Sequence, residues 1–424
     1  MIWYDPGIIE GIGVSLSIIL IITLIRKGWQ MYWVLLISCL LLALTNGNDF
    51  TQNLNLLFNS LISPSAFYLV SMVVMITILS HLHQKIGAME NLVEHLRFLV
   101  RDPRALLMIF PAAISLFSTV PGGAIISAPM VEETGRDLKM PPIELAMSNI
   151  IYRHMIVLIN PFNTSLILAS GISGISIASY LSFTVPVIAI VFIIATMFLI
   201  YRYPWNKRIS STRSVHNSEQ SSRRQAWAGL LSASSPYLLA MFLGLVVGVY
   251  FPLALLAGIG IAFLINLPDK DKGAALLSRL VTLLHGFKWP MTLTALTIIF
   301  YKDFMLEAES IQQVTRLLID QGLPLIAIVI ALPFFTGFIT GNNTASLGIA
   351  LPIIIPFLGP EMLSVRYFGL IYLSSYAGYF GSPVHLCTYL TNDYFKTPLF
   401  SLIKRVNVYS VIMIVVGLTM ALLY

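Results

Sequence analysis

The sequence predicts an all-α polytopic membrane protein: an inverted repeat of two five-crossing halves, each with a re-entrant hairpin and a broken helix. Three observations predict it. Of the 424 residues, 57% are hydrophobic and only 10% are charged, against roughly a quarter charged in a soluble domain. Stretches without Asp, Glu, Lys or Arg run from His154 to Tyr201, Gln225 to Pro268 and Gln321 to Pro360. Each exceeds the roughly 20 residues that carry a helix across a bilayer. Third, the chain repeats itself at an offset of about 222 residues. A soluble enzyme, a nucleic-acid binder and a single-span receptor are excluded, and the net charge of +6 concerns membrane orientation. Cys39 and Cys387 both lie in apolar stretches, so no structural disulfide is expected. Asp5 and Glu10 occupy the place of a basic n-region, so no cleaved signal peptide is expected.

The polar segment 202–226, with Arg202, Lys207, Arg208, Arg213, Arg223 and Arg224 among serines, reads as a solvated linker between a first repeat at 1–201 and a second at 227–424. Pro111, Pro129 and Pro161 are answered by Pro333, Pro352 and Pro383, with spacings of 18 and 32 against 19 and 31. The amphipathic stretch Glu90–Arg101 falls on Gln312–Leu323.

Five crossings are expected in the first half, near 7–26, 29–46, 66–83, 143–173 and 180–201. The second half offers 230–248, 251–267, 288–303, 366–395 and 402–424. Between the third and fourth crossings lie the hairpins, about 105–138 and 323–360, apolar with Gly, Ser or Asn at their middles. An odd number of crossings per half inverts the second half relative to the first. With the linker inside and both termini outside, only Lys302, Arg316 and Arg366 of the 25 basic residues face out. The segments Asp49–Ser63 and Lys270–Gly286 are amphipathic and suit the membrane interface or a dimer surface.

The first hairpin carries Ser118, Thr119, Pro121, Gly122 and Gly123. Such a turn in hydrocarbon leaves backbone groups that need partners; the plain alternative is a kinked helix healed by its own hydroxyls. The second carries Thr340, Gly341, Asn342, Asn343 and Thr344. Gly337 and Gly341 form a packing pair, which accounts for the glycines but not for the two amides, and these point to an ion or polar solute. Helix breaks follow each hairpin, at 160–164 (Asn160, Pro161, Asn163, Thr164) and 381–385 (Gly381, Ser382, Pro383, His385), with Thr388 one turn on. Half-helix N-termini there attract anions and freed carbonyls attract cations. Candidate substrate groups are therefore Ser118, Thr119, Gly122, Gly123, Arg153, Asn163, Thr164, Asn342, Asn343, Thr344, Ser382 and His385. Candidate ion groups are Asn160, Asn163, Thr340, Gly341, Asn342, Ser382 and Thr388. Arg153 either snorkels or pairs with an acid, or binds an anion. His385 carries a proton, donates to substrate, or bonds a freed carbonyl. Glu132, Glu133 and Asp137 suit cytoplasmic water, Asp393 lies near the inner end of a crossing, and His81, His83 and Lys85 read as an interfacial cluster without a metal signature.

Paired hairpins, each followed by a broken helix, resemble the ion-transporter superfamily of secondary transporters. Residues 121–133 (Pro-Gly-Gly-Ala-Ile-Ile-Ser-Ala-Pro-Met-Val-Glu-Glu) and 382–387 (Ser-Pro-Val-His-Leu-Cys) are similar to an uncharacterised prokaryotic membrane family within it. The resemblance spans essentially the whole chain and implies a multi-pass protein of the prokaryotic cytoplasmic membrane, Na⁺ as a coupling ion, and a homodimer. In the sodium-coupled dicarboxylate branch, Ser-Asn-Thr motifs form the sites. Here Asn342-Asn343-Thr344 and Asn163-Thr164-Ser165 match in part, while Pro121-Gly122-Gly123 and Ser382-Pro383-Val384-His385 depart from the pattern.

The leading expectation is a secondary active transporter moving a small anionic organic solute with Na⁺ or H⁺ by alternating access. The alternative is a cation/proton antiporter, weakened by the lack of a mid-membrane Asp or Glu. No enzyme activity and no cofactor beyond Na⁺ are expected, and partners reduce to the solute or ion and the lipid bilayer. A phosphate loop is absent, and Glu132-Glu133 alone makes no catalytic metal centre.

Overall fold

The structure, a computed structural model, describes residues 6–100, 102–117, 123–204, 223–265, 272–308, 324–358 and 364–423. Among them every regular element is helical. In chain order these are α1 (Pro6–Arg26), α2 (Met31–Thr45), α3 (Phe50–Leu61), α4 (Pro64–Lys85) and α5 (Ala88–Leu99). Then come α6 (Pro103–Phe117), α7 (Gly123–Asp137), α8 (Pro142–Ile159), α9 (Thr164–Ser173) and α10 (Ile177–Arg202). Beyond the linker stand α11 (Arg223–Met241, continued by a π turn to Val247), α12 (Phe251–Leu264), α13 (Lys272–Gly286) and α14 (Trp289–Glu307). The chain ends with α15 (Leu325–Thr340), α16 (Asn343–Ile354), α17 (Val365–Phe380), α18 (Leu386–Phe395) and α19 (Leu399–Leu423).

Local chemistry sets these boundaries. Asp49 closes a capping box with Gln52 at the start of α3, and Ser63 caps α4 with Pro64 in its first turn. Asn163 caps α9 through the Ser165 amide, and Asn342 caps α16 through the Ala345 amide.

Among the described residues, six segments are long and apolar enough to cross a bilayer: Ile9–Arg26, Pro64–Lys85, Pro142–Ser173, Ile177–Arg202, Arg223–Val247 and Leu399–Leu423. Helices α2, α6, α12, α15 and α16 are apolar but shorter. At ~1.5 Å per residue, their 12–16 residues rise only about 18–24 Å, short of a hydrocarbon core of ~30 Å. The segment expected to cross at 366–395 is two helices, α17 and α18, parted at Gly381–His385.

Helix α17 is buried along nearly its whole length, from Phe368 to Phe380, and α8 likewise from Leu145 to Met155. Helix α17 packs on α15, α16 and α19; α8 packs on α6, α7 and α18. The contact of α17 with α15 is backbone-close. A Cβ on Gly378 would fall 2.0 Å from the Phe334 carbonyl, and one on Gly337 2.4 Å from that of Ser375.

His83 is not interfacial. It is fully buried, its Nε2 donates to the Ala233 carbonyl at 2.7 Å, and its ring stacks on Phe117 and meets Tyr237 edge-on. It therefore ties α4 to α11, burying an imidazole where the sequence suggested an aqueous edge. The amphipathic segments form α3 and α13, and their apolar sides stay exposed, with Phe50, Phe58, Leu277 and Leu284 outward.

Candidate functional site

Each break satisfies most of its own backbone. At the first, the Asn160 side chain accepts from the Phe162 amide at 2.9 Å, and Asn163 Nδ2 donates to the Val157 carbonyl at 2.8 Å. Tyr372 reaches over from α17 to donate to the Leu158 carbonyl at 3.0 Å. At the second, Ser382 Oγ accepts from the Val384 amide at 3.2 Å, and Asn407 Nδ2 donates to the Gly381 carbonyl at 2.9 Å. A buried backbone group left without a partner is costly, so these polar side chains are what allow the helices to stop inside the protein.

The breaks are also tied to α6 and α15. Asn160 Nδ2 donates to the Leu116 carbonyl at the end of α6, 3.0 Å away. Ser382 Oγ donates to the Phe338 carbonyl in α15, 2.6 Å away. Both links span 44 residues of chain, and donor and acceptor are each displaced by the same 222 positions between halves.

The turn between α15 and α16 is held by Thr340, whose Oγ1 donates to the Thr336 carbonyl at 2.6 Å and receives the Asn342 amide at 3.3 Å. Gly341 takes φ +59° with its Cα pressed on Val384, which would lie 2.7 Å from a Cβ; any other residue would be strained there and would also collide. Across the turn, Thr344 Oγ1 stands 2.9 Å from Ser165 Oγ. The N-termini of α9 and α16 therefore meet, one from each half, and the tip touches both breaks. Beside them lies a cavity of about 290 Å³ whose lining includes Thr164, Asn342, Thr344, Thr294 and Gln30 among apolar side chains of α2, α4 and α14.

Asn343 is 4% exposed. Its Oδ1 accepts from Ser375 Oγ at 2.7 Å, while its Nδ2 is buried with no hydrogen-bond partner. Whichever way the amide is turned, one of its polar atoms is left over. Ser375 and Ser346, 2.8 Å apart, and Thr336, 2.9 Å from Ser346, complete a hydroxyl cluster behind it.

Arg153 is 3% exposed within α8, and it lies against the start of α7. A Cβ on Gly123 would sit 2.7 Å from its guanidinium, so glycine is what admits it there. The guanidinium and the helix N-terminus are both electropositive. Next to them Ser127 Oγ donates to Asn149 Oδ1 at 2.5 Å, and Asn149 Nδ2 donates to the Ala124 carbonyl at 3.1 Å and Thr391 Oγ1 at 3.2 Å. His154 and His385 face each other, Nε2 to Nε2, at 3.2 Å, with Thr388 Oγ1 3.2 Å from His385 Nδ1. Of the expected residues, Ser118, Thr119 and Gly122 lie outside those described, as does Gln312–Leu323.

The structure thus sorts the expected residues into two groups: Asn163, Thr164, Thr340, Gly341, Asn342, Asn343 and Thr344 around the cavity and second tip, and Gly123, Arg153, His385 and Thr388 around the start of α7. Asn160 and Ser382 are the ties. Asn149, Tyr372 and Ser375 were missed, and Ser165 was named only within the Asn163-Thr164-Ser165 motif. Ser375 stands 222 positions after Arg153, a signal readable from the repeat. Glu132 and Glu133 lie at the bundle's rim, bonded to Arg136, Tyr394 and Arg97. The hydrogen bonds from Arg136 and then Tyr394 hold the Glu132 carboxyl below its usual range.

Fold and composition together define a helical, membrane-type protein. Its architecture is similar to the crystal structure of the Alcanivorax borkumensis YdaH transporter, described as having an unusual topology. The two share 15% sequence identity with a TM-score of 0.56, over 88% of this chain and 89% of that one. The chain belongs to the family described as "Protein of unknown function (DUF401)", whose model matches residues 11–424. No curated protein matches the sequence.

Proposed function

We propose that this protein is a secondary active transporter of the ion-transporter superfamily, moving a small anionic organic solute coupled to Na⁺ or H⁺ by alternating access. The observation that carries this reading is the meeting of two half-helix N-termini, one per half, at Ser165 and Thr344 beside a cavity of small-molecule size. Helix N-termini present N–H groups and positive dipole ends to anions, and the buried spare atom of Asn343 offers one further polar contact.

The inverted repeat and its hairpins belong to the same proposal. Supporting them are the twin ties Asn160–Leu116 and Ser382–Phe338 and the matched packing of α6 on α8 and α15 on α17. The structural similarity to a transporter points the same way. An antiporter without organic substrate is the weaker alternative, because Glu10 is the one buried acid among the described residues. Na⁺ would be held by hydroxyls and carbonyls near Thr340 and Asn342; H⁺ coupling would run through His385.

The test is thermal stability of the detergent-purified protein against Na⁺, K⁺, pH and a panel of carboxylates, sugar acids and oxyanions. A ligand of the folded state at 100 times its Kd stabilises by roughly 2.7 kcal/mol. A shift with one anion, enlarged by Na⁺ or by acid, is expected; no response to any anion would overturn the substrate class.

A further inference from the structure

We propose that His154, His385 and Cys387 form a metal site between the two halves, selective for a soft monovalent ion, copper(I). Their ligand atoms all lie within 4.8 Å of one another, although His154 and His385 are 231 residues apart in sequence. They are 2%, 1% and 5% exposed.

A backbone carbonyl fixes the tautomer of His154. His154 Nδ1 lies 2.7 Å from the Ile150 carbonyl, which only accepts, so Nδ1 carries the proton and Nε2 presents its lone pair to His385. In the metal-free state a proton between the two Nε2 atoms fills the 3.2 Å gap, and His385 Nδ1 lies 3.2 Å from Thr388 Oγ1. A metal held ~2.0–2.1 Å from two imidazole nitrogens at a tetrahedral to trigonal angle separates them by roughly 3.3–3.6 Å. The ion can therefore take the place of that proton with a few tenths of an ångström of opening. The His385 proton then moves to Nδ1 and donates to Thr388 Oγ1, while Cys387 loses its thiol proton to solvent as the metal–sulfur bond forms. The outer hydrogen bonds that orient metal-bound histidines, here to Ile150 and Thr388, are already in place.

Charge selects the ion. One thiolate and one monovalent cation leave the buried site neutral, whereas a divalent ion would leave a net positive charge close to Arg153, a cost a low-dielectric interior magnifies. Imidazole and thiolate together also suit copper(I). Leu386 and Tyr389, about half exposed beside the cluster, put it one side chain beneath the molecular surface.

The experiment titrates the full-length, detergent-purified protein with copper(I) against a chromophoric chelator, with zinc in parallel. One copper(I) per chain is expected. Cys387→Ser should abolish it, His154→Gln and His385→Gln should weaken it by about tenfold or more, and Cys39→Ser should leave it unchanged. Because a variant in the core can misfold, alkylation of the wild-type chain supplies a second readout: copper(I) should protect Cys387 and not Cys39. No copper(I) binding, binding that survives Cys387→Ser, unprotected Cys387, or tighter binding of zinc would overturn the proposal. It stands apart from the transport reading, because neither the binding nor the alkylation measurement involves a solute.

Discussion

Ser165 and Thr344 stand 2.9 Å apart, oxygen to oxygen, with 179 residues of chain between them. Each sits in the first turn of a helix that begins inside the bundle, and each comes from a different half. Replacing both with cysteine should allow an oxidative cross-link that pins the two N-termini together. Transport in proteoliposomes is expected to fall to background on oxidation and to return on reduction. Undiminished transport in the cross-linked protein, verified by mass, would remove these helix ends from the working site.

Asn343 separates folding from ligand binding. Asn343→Ala gives up the Ser375 hydrogen bond and should lower stability by only about 1 kcal/mol. The anion-induced rise in melting temperature, by contrast, should vanish. Asn343→Asp, which exchanges the donor for a negative charge, should be at least as damaging to anion binding. A normal ligand shift in both variants would show that the spare amide atom serves no ligand.

Arg153 depends on the absence of a side chain at Gly123. Gly123→Ala places a Cβ 2.7 Å from the guanidinium and should push it away from the start of α7. Gly123→Ala and Arg153→Gln are both expected to weaken anion binding, by roughly 1.4 kcal/mol or more for a tenfold loss. Combined, they should cost little more than Arg153→Gln alone, because one acts through the other. Fully additive losses, measured by ligand titration, would mean that the two residues act separately.

The twin ties make a prediction about symmetry. Asn160→Ala and Ser382→Ala each strip a donor from a part-buried carbonyl, Leu116 and Phe338 respectively. Each should therefore cost about 1–3 kcal/mol of stability. Comparable losses in melting experiments are expected; a large loss in one and none in the other would show that the repeat is one of outline only.

Backbone contact between α15 and α17 should be intolerant of a single methyl. Gly378→Ala must move the Phe334 carbonyl or part the helices, costing typically 1–3 kcal/mol. Wild-type stability on melting would show that this seam is loose.

The breaks and the second tip were legible in the sequence because proline, glycine and asparagine inside apolar runs have few uses there. Pro161 and Pro383 mark ends that the backbone cannot avoid, and a 222-residue offset can be counted on paper. The side on which each amide would spend its hydrogen bonds could not be read. Asn160 and Asn163 look like ligands in the sequence; in the structure their amides also meet backbone groups, Asn160 those of Phe162 and Leu116, Asn163 those of Ser165 and Val157, a choice set by three-dimensional proximity. His83 was misplaced for a related reason: a histidine near a lysine at a helix end resembles an aqueous edge until α11 is seen to cover it. Tyr372 and Ser375 carry no local signal, since a serine or tyrosine in a hydrophobic helix is ordinary.

Tyr372 and Tyr376 both rise from α17 to donate to carbonyls of α8, at Leu158 and His154. These phenols fasten the two interrupted helices to each other at a depth where no water competes for the bond. Helices α8 and α17 should consequently travel as one solid piece, and any exposure of the centre to opposite sides of a membrane must take place by sliding at other seams. Amide exchange would then be slow and uniform through both helices, and faster at the ends of α9 and α16, which meet through the Ser165 and Thr344 hydroxyls.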